Sequence, residues 1–137
     1  MDASVSNSRQ SNRQKPLASA PELSAYNDYR TFLKDFYHYK RSQFQGIRPY
    51  TYSVFAAAAD IRSPNYLRMV IEGQRNVSIA MASKFARALG LNREQLQEFL
   101  LLVNYNQSTD PIEKNRHLQV LTEVRGRKQI KARSEER

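Results

Sequence analysis

The chain has 137 residues, no cysteine and a formal net charge of +9, with 22 Lys and Arg against 13 Asp and Glu. That length suits one domain with a real core, and the composition excludes disulfides and thiolate metal sites. No apolar run approaches a membrane span and the start, "MDASVSNSRQSNRQKPLASAP", lacks the apolar stretch of a secretory signal, so a cytoplasmic protein without a membrane partner is expected.

Residues 1–20 carry Arg9, Arg13 and Lys15 against Asp2 and show no hydrophobic periodicity. Such a segment cannot bury enough apolar surface to offset chain entropy, which predicts a disordered tail. The folded domain is expected to run over 21–124. Its first helix is marked by Tyr29, Phe32, Leu33, Phe36 and Tyr37 at i, i+3, i+4, i+7, i+8 spacing, with Asn27 or Ser24 as the N-cap. Gly46 and Pro49 interrupt the chain. A second helix follows over Thr51 to Ala59, with Val54, Phe55, Ala58 and Ala59 expected to face inward.

Ser63-Pro64 reads as an N-cap followed by a proline at the first helical position, and Gly73 as a stop, which brackets a short third helix. Ser78 should cap a fourth helix that buries Ala82, Phe85, Ala86 and Leu89 and ends at Gly90. Asn92 should open a fifth, carrying Leu96, Phe99, Leu100 and Val103. Asp110-Pro111-Ile112-Glu113 looks like a capped start to a sixth, with Ile112, Val120, Leu121 and Val124 as its apolar set. Residues 125–137 hold Arg125, Arg127, Lys128, Lys131, Arg133 and Arg137 with Ile130 as their one large apolar residue, and are expected to form a disordered basic tail. No segment alternates as a strand would. The fold class is therefore all-α, a compact bundle of five to six helices with disordered tails.

Charge is concentrated within this frame. From Arg30 to Arg93 eleven Lys and Arg stand against Asp35, Asp60 and Glu72, a balance of +8, and a polyanionic partner is the natural expectation. The second and third helices occupy the middle of that window. Ala56 stands four residues before Asp60, Ile61 follows as an apolar plug, and Leu67 and Val70 recur on the third helix, the spacing of a helix-turn-helix. Two departures stand out. Asp60 replaces the usual turn glycine, although Asp tolerates left-handed geometry better than most residues, and the interval from Ile61 to Leu67 is one residue longer than in the commonest form.

The run "FAAAADIRSPNYLRMVIEGQRNVSIAMASKFARALGLN" resembles the λ-repressor-like helix-turn-helix domain. Together with "YRTFLKDFYHYK" and "LLVNYNQS", it is most similar to an uncharacterised family of bacterial helix-turn-helix regulators that usually carry a further C-terminal domain of unknown function. The resemblance covers roughly Tyr29 to Val124, and the chain stops where that further domain would begin, as a stand-alone relative or a fragment would. It implies a DNA-binding transcriptional regulator whose third helix reads the major groove.

With Leu67, Val70 and Ile71 as its core face, the third helix turns Asn65, Met69 and Glu72 outward, flanked by Tyr66 and Arg68. Asn pairs with adenine, Arg with guanine, and an apolar tip meets a thymine methyl. The base-reading set is accordingly Ser63, Asn65, Tyr66, Arg68 and Met69. Arg62, Gln74, Arg75 and Asn76 flank the helix and suit phosphate contacts, and Tyr52 suits either a phosphate contact or packing. Double-stranded DNA is the expected partner, bound by a homodimer, since one short helix rarely supplies enough specificity. The bland reading is an ordinary surface helix, and the alternative function is a protein-interaction module on the same scaffold that does not read DNA. His38 and His117 belong to no metal-ligand spacing and the four glycines form no phosphate loop, so no enzyme, metal or cofactor is expected.

Two expectations follow directly. Removing 125–137 should weaken DNA binding uniformly across sequences, because tail cations neutralise phosphates without reading bases. Ala56→Leu should destabilise the fold by about 1–3 kcal/mol through overpacking at a close helix crossing, and an unchanged melting temperature would place Ala56 away from any crossing.

Overall fold

The computed structural model describes residues 19–44, 46 and 48–135, with side chains described to residue 131. It comprises a turn of 3-10 helix at Leu23–Ala25 and six α-helices: α1 (Tyr29–Gln43), α2 (Tyr52–Ala59), α3 (Tyr66–Ile71), α4 (Ile79–Leu89), α5 (Arg93–Gln107) and α6 (Pro111–Glu135). Among the described residues there is no strand, and no helix is long and apolar enough to cross a membrane.

The helix starts follow side-chain capping. Asp28, rather than Asn27 or Ser24, caps α1 and accepts from Arg30 N at 2.9 Å. Thr51 caps α2 through Val54 N and Ser78 caps α4 through Met81 N. Asn92 and Gln95 cap one another's backbone at the start of α5, and Asp110 opens α6 by accepting from Glu113 N. Each device satisfies an amide that would otherwise lack a partner. α3 is the exception. Pro64 and Asn65 form a turn, Tyr66 N bonds back to Ser63 O at 3.3 Å, and Asn65 supplies no side-chain cap, so the helix begins later than Ser63-Pro64 implies and has six residues.

Three successive helices end alike. Asp60 (φ 60°), Gly73 (φ 83°) and Gly90 (φ 73°) adopt left-handed backbone after α2, α3 and α4. At each end two amides fold back onto carbonyls of the last turn, as Ile61 N does onto Ala56 O at 2.8 Å and Gln74 N onto Met69 O at 2.8 Å. Asp60 bears the non-glycine cost of that conformation, and Lys84 donates to its carbonyl at 3.1 Å.

The core is aromatic. Phe36 meets Phe55 at 6.5 Å, Phe55 meets Phe85 at 5.1 Å and Phe85 meets Tyr66 at 5.8 Å, all edge to face, a row of rings that joins α1, α2, α4 and α3. On α2 the inward residues are Phe55, Ala56 and Ala59, whereas Val54 and Ala58 are exposed, contrary to the expected face. On α6 Leu121 and Val124 are buried, while Ile112 and Val120 lie on the solvent side, because the helix docks through the stripe Leu121, Val124, Arg125 and Lys128.

That stripe corrects the expectation of a disordered basic tail from 125 onward, and with it the expected effect of removing 125–137, which takes away the cations that hold Glu98 as well as tail charge. Glu98 on α5 is fully buried, and its carboxylate accepts from Arg125 Nε at 2.6 Å, Lys128 Nζ at 2.8 Å and Ser24 Oγ at 2.9 Å. Arg125 also donates to Leu23 O, Tyr26 O and Asn27 Oδ1, which ties the N-terminal 3-10 turn to the body. The helix therefore continues through Glu135, held by a carboxylate that needs cations. The outer pair Lys131–Glu94, at 3.7 Å and well exposed, adds little. The predicted N-terminal tail, 1–20, lies outside the described residues except for Ser19 and Ala20.

Burial alone would push the Glu98 carboxyl up, but the hydrogen bonds from Lys128, Arg125 and Ser24 outweigh it and hold the group below its usual 4.5. A carboxyl depressed in the folded state stabilises fully above its unfolded value and loses that contribution as pH falls through the folded one. Thermal stability should therefore decline as wild type is acidified below 4.5, and Glu98→Gln should flatten that decline. Arg125→Ala should cost about 3–5 kcal/mol at neutral pH, because it leaves a buried carboxylate short of its closest cation. Melts followed by circular dichroism measure both effects, and an acid limb that Glu98→Gln leaves unaltered would remove Glu98 from this role.

Candidate functional site

α3 packs against both α1 and α2. Leu67 and Val70 form its fully inward face, and Met69 and Ile71 are half-buried. Arg62, Ser63 and Asn65 are exposed on its approach. Arg68 and Glu72 stand one turn apart on the outer side, at 3.2 Å, with about two-fifths or more of each side chain exposed (40% and 45%). Gln74 Nε2 donates to the same Glu72 oxygen at 3.2 Å. All five base-reading residues thus reach solvent at least in part, although Met69 is less prominent than its expected outward position.

Tyr66 is the departure. Its ring packs edge-on against Phe85, its hydroxyl donates to Asn76 O at 3.2 Å, and the Arg75 guanidinium lies 5.1 Å over its face. The ring organises the loop after α3 while staying partly exposed. Tyr52 stacks on Tyr37, with centroids 4.2 Å apart and planes within 2°. Burial first, then Tyr37, pushes its hydroxyl pKa up. The ring packs on Tyr37, and Glu72 and Arg68 also act on the hydroxyl, which lies beside the outer face of α3.

The loop from Gln74 to Val77 is fixed from two sides by residues that sequence patterning did not single out. Arg30, on the first turn of α1, sends Nη1 to Val70 O at 2.6 Å and to Arg75 O at 2.8 Å, and Nη2 to Asn76 Oδ1 at 2.7 Å. One guanidinium thus satisfies a carbonyl at the end of α3 and shapes the following loop. Opposite, Gln107 accepts from Val77 N at 2.8 Å and donates to Val77 O at 2.9 Å, and it also accepts from the Tyr29 hydroxyl. Burial pushes that hydroxyl up to about 12, so it stays a donor. Asn106 completes the clamp by accepting from Tyr29 N and donating to Asn27 O. The amide pair Asn106-Gln107 was visible in "LLVNYNQS"; Arg30 was visible only as one charge among eleven.

With this frame, Arg62, Arg68 and Arg75 bracket α3 while Glu72 is taken up by Arg68 and Gln74. Asn76 accepts from Arg30 through its side-chain oxygen and stays exposed. Among the described residues no group of three or more His, Cys, Asp or Glu is placed to hold a metal.

No family model, curated protein or solved structure compared with the chain matches it.

Arg30→Ala should expose the Gln74–Val77 loop. Hydrogen bonds from a charged donor are worth about 1.5–3 kcal/mol, so amide exchange there should accelerate markedly while amides in α5 and α6 keep their protection. Uniform acceleration across the whole chain would show that Arg30 holds the global fold instead.

Proposed function

We propose that the chain is a DNA-binding transcriptional regulator of the λ-repressor-like helix-turn-helix class, acting in the bacterial cytoplasm as a homodimer, with α3 entering the major groove. The observation that carries this reading is the outer face of α3. A six-residue helix, set on α1 and α2 through Leu67 and Val70, leaves Asn65 exposed at its N-terminal end and Arg68 partly exposed beside the exposed Glu72, with Arg62 before it and Arg75 after it. The left-handed Asp60 turn fits the helix-turn-helix assignment, since it supplies the sharp reversal between α2 and α3.

Magnitudes favour a reading role for Arg68 despite its ion pair. An exposed i, i+4 pair with Glu72 is worth about 0.3–0.5 kcal/mol, whereas a paired contact with guanine contributes about 1–3 kcal/mol of discrimination. Exchanging Glu72 for a base edge is therefore favourable. Asn65 would read adenine, Met69 and Ser63 would line the groove, and Arg62 and Arg75 would meet phosphates. The stack of Arg75 on Tyr66 holds its charge over the loop. The interaction-module alternative calls for an exposed apolar patch; among the described residues the large exposed apolar side chains include Val54 on α2, Ile79 on α4 and Ile112 and Ile130 on α6, and none lies on α3.

The test is a binding titration against a selected duplex and a scrambled one at two salt concentrations. Asn65→Ala and Arg68→Ala should each cost about 1–3 kcal/mol on the selected site and relax preference at particular base pairs, while Arg75→Ala should weaken both duplexes alike and reduce the salt slope. Equal affinity of wild type for the two duplexes, or none for either, would give the face of α3 to a protein partner.

A further inference from the structure

In the basic window from Arg30 to Arg93, eleven cations stand against three carboxylates. Two of these carboxylic residues serve the fold: Asp35 accepts from the Tyr26 hydroxyl, and Asp60 makes the left-handed turn between α2 and α3. The third, Glu72, is exposed on the outer side of α3. We infer that Glu72 is a specificity-determining residue, selecting cytosine through its N4 amino group close to the guanine taken by Arg68, a role that rests on the reading of α3 proposed above.

The folding of α3 does not call for an acid at this place. Among the described residues the Glu72 carboxylate bonds only to the side chains of Arg68 and Gln74, at the surface. It directly follows the last residue of the helix, where carbonyls without partners gather and a negative charge is unfavourable. An arginine four residues before an acid is also the weaker order for such a pair. Beside DNA the same charge opposes phosphates. What it costs the helix and the backbone contacts can be recovered only from a base that presents a donor.

The geometry leaves room for that donor. Arg68 Nη1 and Gln74 Nε2 both donate to Oε1, each at 3.2 Å, so among the described residues Oε2 carries no hydrogen bond. When Arg68 turns to a guanine, Gln74 still holds Oε1, and the carboxylate keeps acceptor capacity to spare. In the major groove cytosine offers an amino donor alone, adenine sets its N7 acceptor beside its amino group, and guanine and thymine present carbonyl oxygens. Carboxylate and cytosine therefore match. Selection comes as much from penalty as from attraction, because a Glu72 that has given up Arg68 is an uncompensated charge unless a base supplies the donor.

The test is selection of a randomised duplex pool on full-length wild type, Glu72→Gln and Arg68→Ala, followed by titration of duplexes that differ at one selected base pair. Wild type should enrich a cytosine close to the guanine that Arg68→Ala ceases to select, and should bind that duplex about tenfold more tightly than versions with guanine or thymine there. Glu72→Gln keeps the shape and removes the charge. It should move the preference at that position from cytosine to adenine, which an amide reads through two hydrogen bonds. It should also bind a scrambled duplex more tightly, retain the guanine preference and melt no lower than wild type. Weaker binding to every duplex together with a lower melting temperature would show a structural role for Glu72 and overturn the inference. An identical motif for wild type and Glu72→Gln would overturn it while leaving the reading of α3 standing, whereas a wild type that selects no motif would overturn both.

Discussion

A carboxylate removed from water must be met by cations or become neutral, and Glu98 organises one whole side of this protein under that constraint. Its two oxygens draw Arg125 and Lys128 from α6 and the Ser24 hydroxyl from the N-terminal segment. The arginine, once fixed, has donors left over, and these fall on Leu23 O, Tyr26 O and Asn27 Oδ1. The position of the 3-10 turn and the continuation of α6 therefore follow from one buried charge. Neither α6, with few buried apolar residues, nor the short N-terminal turn has enough apolar surface to dock by hydrophobic burial alone.

The opposite side depends on hydrogen bonds to backbone. α3 is too short to hold its own shape in isolation, and it is defined by what surrounds it: Leu67 and Val70 beneath, Gly73 behind, and the Arg30 guanidinium across its last turn. Gln107 treats the Val77 backbone as a strand neighbour would, accepting from its amide and donating to its carbonyl. The result is a short helix and loop presented on a fixed frame, with their outer side chains free to engage a partner. Rigidity of this kind lowers the ordering cost of any association made through that face.

Helix order, three of the caps and most of the aromatic core were legible from periodicity and stop signals, because both depend on near neighbours. Ser78, Asn92 and Asp110 act within three residues of themselves, and Gly73 and Gly90 act where they stand. What was not legible depends on distance. Glu98 sits inside an apolar helix face and reads as an ordinary surface acid until Arg125, Lys128 and Ser24 are brought to it, so these two tail cations looked solvated and were not. Tyr66 read as a flank of the outer face, and Phe85 turns it inward. Arg30 carries no local mark of its three acceptors, which lie forty or more residues away. The inward faces of α2 and α6 were blurred by alanine runs and by charged residues that bury only because a partner waits for them.

The reach of Arg125 has a consequence for synthesis of the chain. Its acceptors at Leu23 and Tyr26 lie 102 and 99 residues upstream, and at about 5–20 residues per second the interval between making the two ends of the contact is roughly 5–20 s. The first turn has no anchor throughout that time, and Glu98, made 27 residues before Arg125, lacks that cation for about 1–5 s of it. A product released before position 125 would keep the core but carry an uncompensated carboxylate, so the same residue that fastens the N-terminus also distinguishes finished chains from unfinished ones.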